Sequence, residues 1–407
     1  MTPTVVLVGT LDTKGEEYAF LREEVERAGC EALVVDVGIV GDPAFAPEVG
    51  RDEVAAAGGA VLADLVAAGD RGAAVATMAA GAAAVVVSLF AAGRLDGVLG
   101  AAGSGGSSII SRAMRALPVG VPKVLVSTMA AGDVGAFVGT SDIAMVYSVV
   151  DVAGVNSVSR QVLGNAAAGV AAMAAARRER AGEAGSRPVV GATMYGTTTP
   201  CVNRARRWLE EAGYEVLVFH ATGSGGRTME ALMEQGAITA SLDITTTELT
   251  DEVAGGVMTA GPDRLETAGR LGLPQVVSLG ATDMVTFTPP EAVPPTWADR
   301  RAYAHNPSIT LVRSSVDEVR EVGRLIAEKL NAAVGPTSLF VPRRGTSSYA
   351  VEGGVFHDPA ADAALFGAVR EHLGPGVELV EMDTDINDPA FAIAMAERLH
   401  DHYRMGD

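Results

Sequence analysis

Cysteine and aromatic residues are scarce in this chain. Its 407 residues include two cysteines, Cys30 and Cys201, and 5% aromatic residues. Two cysteines are too few for a disulfide framework or for a zinc site of the paired-cysteine type. With few aromatic rings, the cores must be built from Ala, Val, Leu and Gly. Small side chains of this kind favour close packing of helices on sheets.

Positive charge is also in short supply. The chain has 31 Lys and Arg residues against 50 Asp and Glu residues, for a net charge of −19. Both halves are acidic, whereas binding to a nucleic-acid backbone needs clustered basic residues, so we expect no nucleic-acid partner. The chain opens on an apolar, strand-like run without the features of a signal peptide, so we expect a cytoplasmic protein.

One long segment has no charge at all. Residues 72–93 contain no charged side chain, and about 20 apolar residues are enough to span a bilayer. The segment consists mostly of Ala and Gly, whose insertion into a membrane is much less favourable than that of Leu, Ile or Phe. It also runs directly into a strand and a glycine loop. We therefore predict a buried helix of a water-soluble fold and no membrane partner.

The hydrophobic content requires a folded core. Of all residues 48% are hydrophobic, which excludes a disordered chain. Residues 4–9 and 32–37 are apolar runs suited to buried strands, and residues 16–28 between them have the apolar spacing of a helix. Strand, helix and strand in series predict a parallel sheet covered by helices.

The same pattern returns near residue 189. The segment VVLVGTLDTKG at residues 5–15 aligns with VVGATMYGTTT at 189–199, and ERAGCEALVVD at 26–36 aligns with EEAGYEVLVFH at 210–220. A charged segment that ends in proline, residues 174–188, separates the two copies. We therefore predict an α/β protein of two domains related by an internal repeat, residues 1–184 and residues 185–407.

Each half also contains the sequence GSGG, at residues 103–106 and 223–226, between an apolar strand and a helix-like segment. A glycine loop at a helix N-terminus presents free backbone N–H groups to an anion. Tight turns need glycine as well, so a purely structural role is the alternative. Because two copies occur in equivalent topological positions, binding of phosphate or carboxylate becomes an equal alternative.

Polar residues follow four apolar strands in the first half, where a parallel sheet would bring them to one crevice. Hydroxyl and ammonium groups suited to phosphate oxygens belong to Thr10, Thr13, Lys14, Ser104, Ser107, Ser127 and Thr128. Carboxylates suited to a magnesium ion or a sugar hydroxyl belong to Asp12, Asp133 and Asp142, and Asp36 lies where a carboxylate often binds ribose. Each residue alone is typical of a helix cap or turn, but their convergence favours a site. No P-loop or GxGxxG sequence occurs.

All six histidines lie in the second half, so acid–base chemistry near neutral pH is expected there. Cys201 lies at a predicted helix start, which favours a nucleophilic thiolate, with a buried structural thiol as the alternative. His220 ends the next predicted strand and is its candidate partner.

Three further residues of the second half are candidates for chemistry. Glu248 lies in an acidic segment and is a candidate general base or metal ligand, with helix capping as the alternative. His305 precedes a short predicted strand that ends in Arg313, and the guanidinium group is suited either to clamping a carboxylate or phosphate or to a surface ion pair. Nothing in the second half has the spacing of a zinc site.

A series of motifs along nearly the whole chain carries a family resemblance. They are GTLDTKGEE, AAGSGGSSIISRAMRALPVGVPKVLVSTMAAGD, GTSDIAMVYSVVDVAGVNSVSR, GTTTPC, VFHATGSGGRTMEALM, LDITTTELTDEVAGGVM, LGATDMVTF and INDPAFA. With them the chain resembles the Tm-one-like ATP-binding domain family, mostly uncharacterised bacterial proteins that resemble a plant inhibitor of tomato mosaic virus replication. The resemblance implies two Rossmann-like domains, an ATP site in the first, and a homodimer or higher homo-oligomer.

The resemblance also implies a set of nucleotide contacts in the first domain. Matched motif by motif, they are Thr10, Asp12, Thr13, Lys14, Gly103, Ser104, Gly105, Gly106, Ser107, Ser127, Thr128, Thr140, Ser141 and Asp142. The expected cofactor is ATP, with Mg²⁺ as a possible companion and its ligands undefined.

Three functions remain open at this stage. The favoured one is a nucleotide-binding enzyme that acts on a small carbonyl or carboxylate substrate through Cys201, His220, Glu248, His305 and Arg313. The second is an ATP-independent hydrolase or carbon–carbon lyase that uses the second domain. The third is a non-enzymatic binding protein stabilised by ATP.

Overall fold

The computed structural model describes residues 2–180 and 187–405. The chain divides into two compact units, Met1–Gly185 and Ser186–Asp407, and each unit is described here by itself. The predicted boundary at about residue 184 lies outside the described residues.

The first unit is built on a parallel sheet whose strands follow the order β2-β1-β3-β4-β5. The strands are β1 (Thr4–Gly9), β2 (Glu31–Asp36), β3 (Gly97–Ala102), β4 (Lys123–Ser127) and β5 (Ala144–Tyr147). The helices are α1 (Leu11–Arg27), α2 (Arg51–Ala57), α3 (Leu62–Ala68), α4 (Arg71–Ala91), α5 (Ser104–Arg115), α6 (Gly135–Val138) and α7 (Ser157–Glu179). Fully buried apolar residues fill β1 and β3, as expected for strands covered by helices on both faces.

Helix α1 begins earlier than its apolar spacing predicts. The helical pattern in the sequence starts at Glu16, but the helix begins at Leu11, directly after β1. Its first turn is separated from the rest by a kink at Lys14, which has φ −128° and ψ 24°. The polar segment that follows β1 therefore forms a turn of its own and places its side chains at the edge of the sheet.

The uncharged segment forms helix α4, which is less buried than predicted. Ala74, Met78, Ala82, Val86 and Leu89 face the core, at the spacing of one helical face. The opposite face is exposed, and 39% of the most apolar window is buried. By length and composition alone, α4 is the one helix in residues 2–180 and 187–405 that could cross a membrane, which is weak support for a span.

The second unit repeats this sheet and extends it. Its strands follow the order β7-β6-β8-β9-β13-β14, all parallel, and a three-stranded antiparallel sheet in the order β10-β12-β11 is inserted between β9 and β13. The strands are β6 (Val189–Met194), β7 (Glu215–His220), β8 (Ala240–Thr245), β9 (Gln275–Gly280), β10 (Met284–Phe287), β11 (Ala302–Asn306), β12 (Ile309–Arg313), β13 (Thr337–Pro342) and β14 (Glu378–Met382). The helices are α8 (Thr199–Glu211), α9 (Ser224–Glu234), α10 (Thr247–Ala254), α11 (Thr267–Leu271), α12 (Val316–Asn331), α13 (Pro359–His372) and α14 (Pro389–Met405).

The two sheets confirm the predicted fold class. In sequence order, the first five strands of each parallel sheet lie in the same spatial order, 2-1-3-4-5. This is a doubly wound, Rossmann-like arrangement, and it reverses direction between strands 1 and 3, where such sheets bind ligands. The internal repeat read from the sequence is thus a repeat of topology.

Candidate functional site

The first unit has a cavity at the point where the strand order reverses. Its volume is about 740 Å³, within the usual range for small-molecule sites. The segment after β1 contributes Thr10, Asp12, Thr13 and Lys14, and residues 103–106 after β3 form another wall. The structure therefore brings together the two polar segments that the sequence predicts to meet.

Residues 103–106 offer unpaired backbone donors at the start of α5. Within the described chain, the N–H groups of Ser104, Gly105 and Gly106 have no hydrogen-bond partner, while Ser107 donates to the carbonyl of Gly103 at 2.9 Å. These are the free donors of a helix N-terminus, where the helix dipole also favours an anion. No acidic side chain lies in this first turn.

An arginine that the sequence analysis missed faces this turn. Arg71, the first residue of α4, lines the cavity. A methyl group at Gly105 would lie 3.2 Å from Nη2 of Arg71, so the guanidinium group lies directly over the glycine turn. No carboxylate among the described residues pairs with Arg71. Its position at the start of the uncharged segment was the one available clue.

Lys14 and Asp12 also line the cavity. The ammonium group of Lys14 donates to the carbonyl of Val152, which holds it at the cavity edge. Oδ2 of Asp12 accepts from the N–H groups of Val40 at 2.8 Å and Gly41 at 3.3 Å, and its Oδ1 is buried without a partner in the described chain. Asp12 therefore orders the segment after β2.

Two buried residues hold the strand ends in place. Tyr18 of α1 donates to the carbonyl of Val8 at 2.5 Å and accepts from the N–H of Ala101 at 2.9 Å, which ties β1 to β3. Asp36, predicted to bind ribose, is instead fully buried and accepts from the N–H groups of Leu11 at 3.0 Å and Gly38 at 2.9 Å. Burial raises the pKa of Asp36. Its carboxyl group links the segment after β1 to the segment after β2 through these two hydrogen bonds.

Two of the serines predicted to bind phosphate, Ser107 and Ser127, lie behind the glycine turn. The hydroxyl groups of Ser107 and Ser127 are buried and lie 2.7 Å apart, and Ser127 also accepts from the N–H of Met129 at 3.0 Å. Thr128 lies beside the turn, with Oγ1 3.9 Å from the position of a methyl group on Gly103. These hydroxyl groups join the segments after β3 and β4.

Thr140, Ser141 and Asp142 lie at the other end of the sheet, and their grouping with the crevice is corrected. They precede β5, and Asp142 pairs with Lys123 at the start of β4, at 2.6 Å. Burial lowers the pKa of Lys123. Burial by itself would raise the pKa of Asp142, but the opposing interactions, chiefly the hydrogen bond from the Lys123 ammonium group, outweigh this effect, and the pKa of Asp142 is lowered. Because the strands are parallel, a residue before β5 lies at the amino edge, opposite the cavity.

In the second unit, the GSGG loop is occupied by the protein's own carboxylate. Oε1 of Glu248 accepts from the N–H groups of Gly223 at 2.7 Å and Gly226 at 3.0 Å. A methyl group at Gly226 would lie 2.1 Å from Oε2 of Glu248, and Gly223 has a positive φ of 85° that favours glycine. This loop follows β7, a sheet edge, so its topological position differs from that of the first GSGG, which follows β3.

Glu248 belongs to a buried network around Arg264. The guanidinium group donates to Glu248 at 2.7 Å, to Glu230 at 3.2 Å and to both oxygens of Asp243 at 2.6 and 2.8 Å. Asp243 also accepts from the hydroxyl of Thr193 at 2.6 Å. Glu248 is fully buried, so the structure favours a capping role over that of a general base.

Cys201 does not have the environment of a nucleophile. Its side chain is fully buried in the core between α8 and the sheet, and burial raises the pKa of the thiol to about 12. Its backbone N–H donates to Oδ1 of Asn387 at 3.3 Å. The helix N-terminus was predicted correctly, but the third residue of α8 faces inward, where a thiolate loses its hydration.

His220, His305 and Arg313 lie in separate surroundings. His220 is exposed at the end of β7 and stacks on Tyr195, with ring centroids 5.5 Å apart. His305 is exposed on β11, with Nδ1 3.4 Å from the hydroxyl of Tyr349. Arg313 is buried and donates to Asp362 at 3.0 Å and to the carbonyl of Asp283 at 3.0 Å. The five candidates of this unit each have their own partners.

The fold and these sites define a two-domain α/β protein of the Rossmann-like class with a polar crevice in the first domain. The chain belongs to the uncharacterised protein family UPF0261. The profile of that family's N-terminal domain matches residues 3–179, and the profile of its C-terminal domain matches residues 187–403.

Similar proteins match nearly the whole of this chain. A UPF0261 protein of Clostridium tetani is 48% identical over 98% of each chain, and one of Rhizobium meliloti is 45% identical over 98% of each. The tomato ToMV resistance protein Tm-1(GCR237) is 37% identical over 97% of this chain, which spans 55% of the tomato protein. The predicted resemblance to the tomato Tm-1 proteins is thus confirmed.

Proposed function

We propose that the first unit binds ATP in the cavity at the reversal of its strand order. The observation that carries the proposal is the glycine turn, whose three unpaired N–H groups lie beneath the guanidinium group of Arg71. Lys14 adds a second cation to the lining of the cavity. Backbone donors and cations at a helix N-terminus are the usual means of binding phosphate groups.

The cavity has an apolar part as well as a polar one. Val37, Ile39, Leu65, Val75 and Met78 also line it. A flat, largely apolar base would bury its faces against such side chains, while its phosphates meet the donors at α5. A nucleotide fits this division better than inorganic phosphate does, because phosphate would leave the apolar wall unused.

The cavity offers two carboxylates that could contact a magnesium ion bound with the nucleotide. Asp12 and Asp151 both line the cavity, and Oδ1 of Asp12 has no partner in the described part of the chain. Protein sites for Mg²⁺ in nucleotide complexes often supply one or two carboxylates, with phosphates and water completing the shell. Among the described residues no cluster of three or more His, Cys, Asp or Glu side chains is suited to a metal. We therefore propose Asp12 as the ligand that such an ion would have.

Replacement of Arg71 tests the proposal. We expect Arg71→Gln to weaken ATP binding about 10- to 100-fold, because a hydrogen bond to a charged group contributes about 1.5–3 kcal/mol. Calorimetric titration with ATP, ADP and AMP, each with and without Mg²⁺, measures the effect. The loss should be largest for ATP, because the guanidinium group faces the phosphate-binding turn.

Arg94→Gln is the matched control. Arg94 lies just beyond the other end of α4 and does not line the cavity. Its replacement removes the same charge as Arg71→Gln. The affinity of the Arg94→Gln variant for ATP should equal that of the unmodified protein. An absence of ATP binding in the unmodified protein, or equal losses in the two variants, contradicts the proposal.

Two of the residues predicted to be catalytic are not accessible to a substrate. Cys201 and Glu248 are buried and engaged within the second unit, so neither is positioned to meet a substrate. The proposal of a nucleotide-dependent enzyme acting on a small carboxylate therefore depends on the first unit's cavity and on a separate cavity in the second. Release of ADP or AMP from ATP in the presence of candidate carboxylates is the assay that tests it.

A further inference from the structure

The second unit has a cavity that none of the residues predicted to be catalytic lines. It measures about 840 Å³, a size typical of sites for small organic molecules. It opens beside the carboxyl ends of β13 and β14 and reaches the first turn of α13. Charged and polar side chains that line it include Arg343, Arg344, His357, Asp362, Asp383 and Asp385.

Two consecutive arginines on this wall share a single carboxylate. Arg343 and Arg344 follow β13, and their backbone N–H groups donate to the carbonyls of Met382 and Thr384, each at 3.0 Å, which continues the pairing with the segment after β14. Nη2 of Arg343 lies 3.5 Å from Asp383, and Nη2 of Arg344 lies 3.2 Å from it. Both guanidinium groups face this one carboxylate, and no other carboxylate among the described residues pairs with either of them.

Three other charged side chains of this cavity have ion-pair or hydrogen-bond partners of their own. Arg370 pairs with Glu381 at 2.5 Å, and Asp362 accepts from the buried Arg313 at 3.0 Å. Asp385 accepts from the N–H of Asn387 at 2.8 Å. The arginine pair is therefore the place in this cavity where an added anion would meet two cations that share one carboxylate.

Three further carboxylates line this cavity. Glu352, Asp362 and Asp385 face the same cavity, and carboxylates accept hydrogen bonds from hydroxyl or amino groups. An anion with such a substituent would satisfy both walls, whereas a simple polyanion would be repelled by the acidic one.

We propose that this cavity binds a small organic carboxylate bearing a hydroxyl or amino group, with its carboxylate held by Arg343 and Arg344. Asp383 competes with the ligand for the two guanidinium groups. Arginine pairs recognise carboxylates through parallel N–H bonds, which gives geometry as well as charge. The proposal is independent of ATP binding, because every residue in it belongs to the second unit.

Substitutions on the two sides of the contact between the arginine pair and Asp383 test this proposal, because they should change the affinity for the ligand in opposite directions. The full chain is titrated calorimetrically with L-malate, L-glutamate, succinate and inorganic phosphate. We expect L-malate or L-glutamate to bind more tightly than succinate and phosphate. Arg343→Gln with Arg344→Gln should weaken that binding about tenfold or more, and Asp383→Asn should strengthen it by freeing both arginines.

Matched controls separate this effect from net charge. Arg270→Gln removes an exposed arginine paired with Glu234, and Asp317→Asn removes an exposed carboxylate paired with Arg320. Neither residue lines the cavity, so neither should alter binding. The proposal is overturned if no probe binds at millimolar concentration in either the unmodified protein or Asp383→Asn. It is also overturned if the controls match the cavity variants, or if Asp383→Asn weakens binding. ATP affinity should be unchanged in all these variants.

Discussion

At the residue scale, Glu248 explains why the two GSGG sequences differ in what they can do. A glycine turn at a helix start needs an acceptor for its N–H groups, and in the second unit the Glu248 carboxylate supplies it at 2.7 and 3.0 Å. In the first unit, the N–H groups of Ser104, Gly105 and Gly106 have no acceptor among the described residues. The same local sequence is therefore a structural element in one unit and an open site in the other.

Removal of the Glu248 carboxylate should destabilise the second unit. We expect Glu248→Ala to lower the free energy of unfolding by about 3–5 kcal/mol, because it leaves the buried Arg264 and two backbone donors with fewer partners. Glu248→Gln keeps an acceptor oxygen and should cost less. Urea denaturation measures both changes.

Glu234→Ala serves as the control for this series. Glu234 is exposed and pairs with Arg270 at 2.6 Å, and an exposed pair of this kind contributes at most about 1 kcal/mol. A loss in Glu248→Ala no larger than that in Glu234→Ala would show that the buried network does not stabilise the unit.

At the element scale, the start of α5 combines a packing requirement with a binding one. A methyl group at Gly106 would lie 2.7 Å from Cβ of Ala102 in β3, too close for the helix to keep its place on the sheet. A methyl group at Gly105 would meet only the end of the Arg71 side chain. The two neighbouring glycines are therefore required for different reasons.

Alanine at each position should separate these roles. We expect Gly106→Ala to lower the free energy of unfolding by about 1–3 kcal/mol through overpacking. Gly105→Ala should leave stability nearly unchanged and weaken ATP binding, because the methyl group occupies the space between the turn and Arg71. Thermal unfolding and ATP calorimetry on both variants check this. Equal effects on binding and stability in the two variants would contradict it.

At the scale of the whole molecule, each unit has its own sheet and its own core. Core clusters on both faces of the first sheet consist of first-unit residues alone, and those of the second unit consist of second-unit residues. All residues that line the proposed ATP cavity also belong to the first unit.

The first unit alone should therefore bind ATP. We expect a fragment of residues 1–185 to bind it with an affinity within about twofold of that of the full chain, since changes at distant independent sites are nearly additive. Calorimetry on the fragment measures this, with circular dichroism as a check that it is folded. A folded fragment that does not bind ATP, while the full chain does, would place part of the site outside the first unit.

The prediction from sequence succeeded for features that periodicity and glycine spacing encode. Apolar runs located β1 and β2, and the aligned segments at residues 5–36 and 189–220 anticipated the shared strand order. The placement of Thr140 to Asp142 failed, because chain order does not tell whether a polar segment follows one strand or precedes the next. Arg71 was missed because a single arginine beside an apolar helix has no pattern of its own.

The sequence by itself determined that this chain folds into two α/β domains, because buried strands and crossover helices impose patterns that survive without any long-range information. It also determined that backbone donors would be presented after β3. Only the tertiary structure decided which of these groups are free. Residues far apart in the chain, Arg71 over residues 103–106 and Glu248 against residues 223–226, set that outcome, because hydrogen bonds and ion pairs depend on distances in space that sequence spacing does not contain.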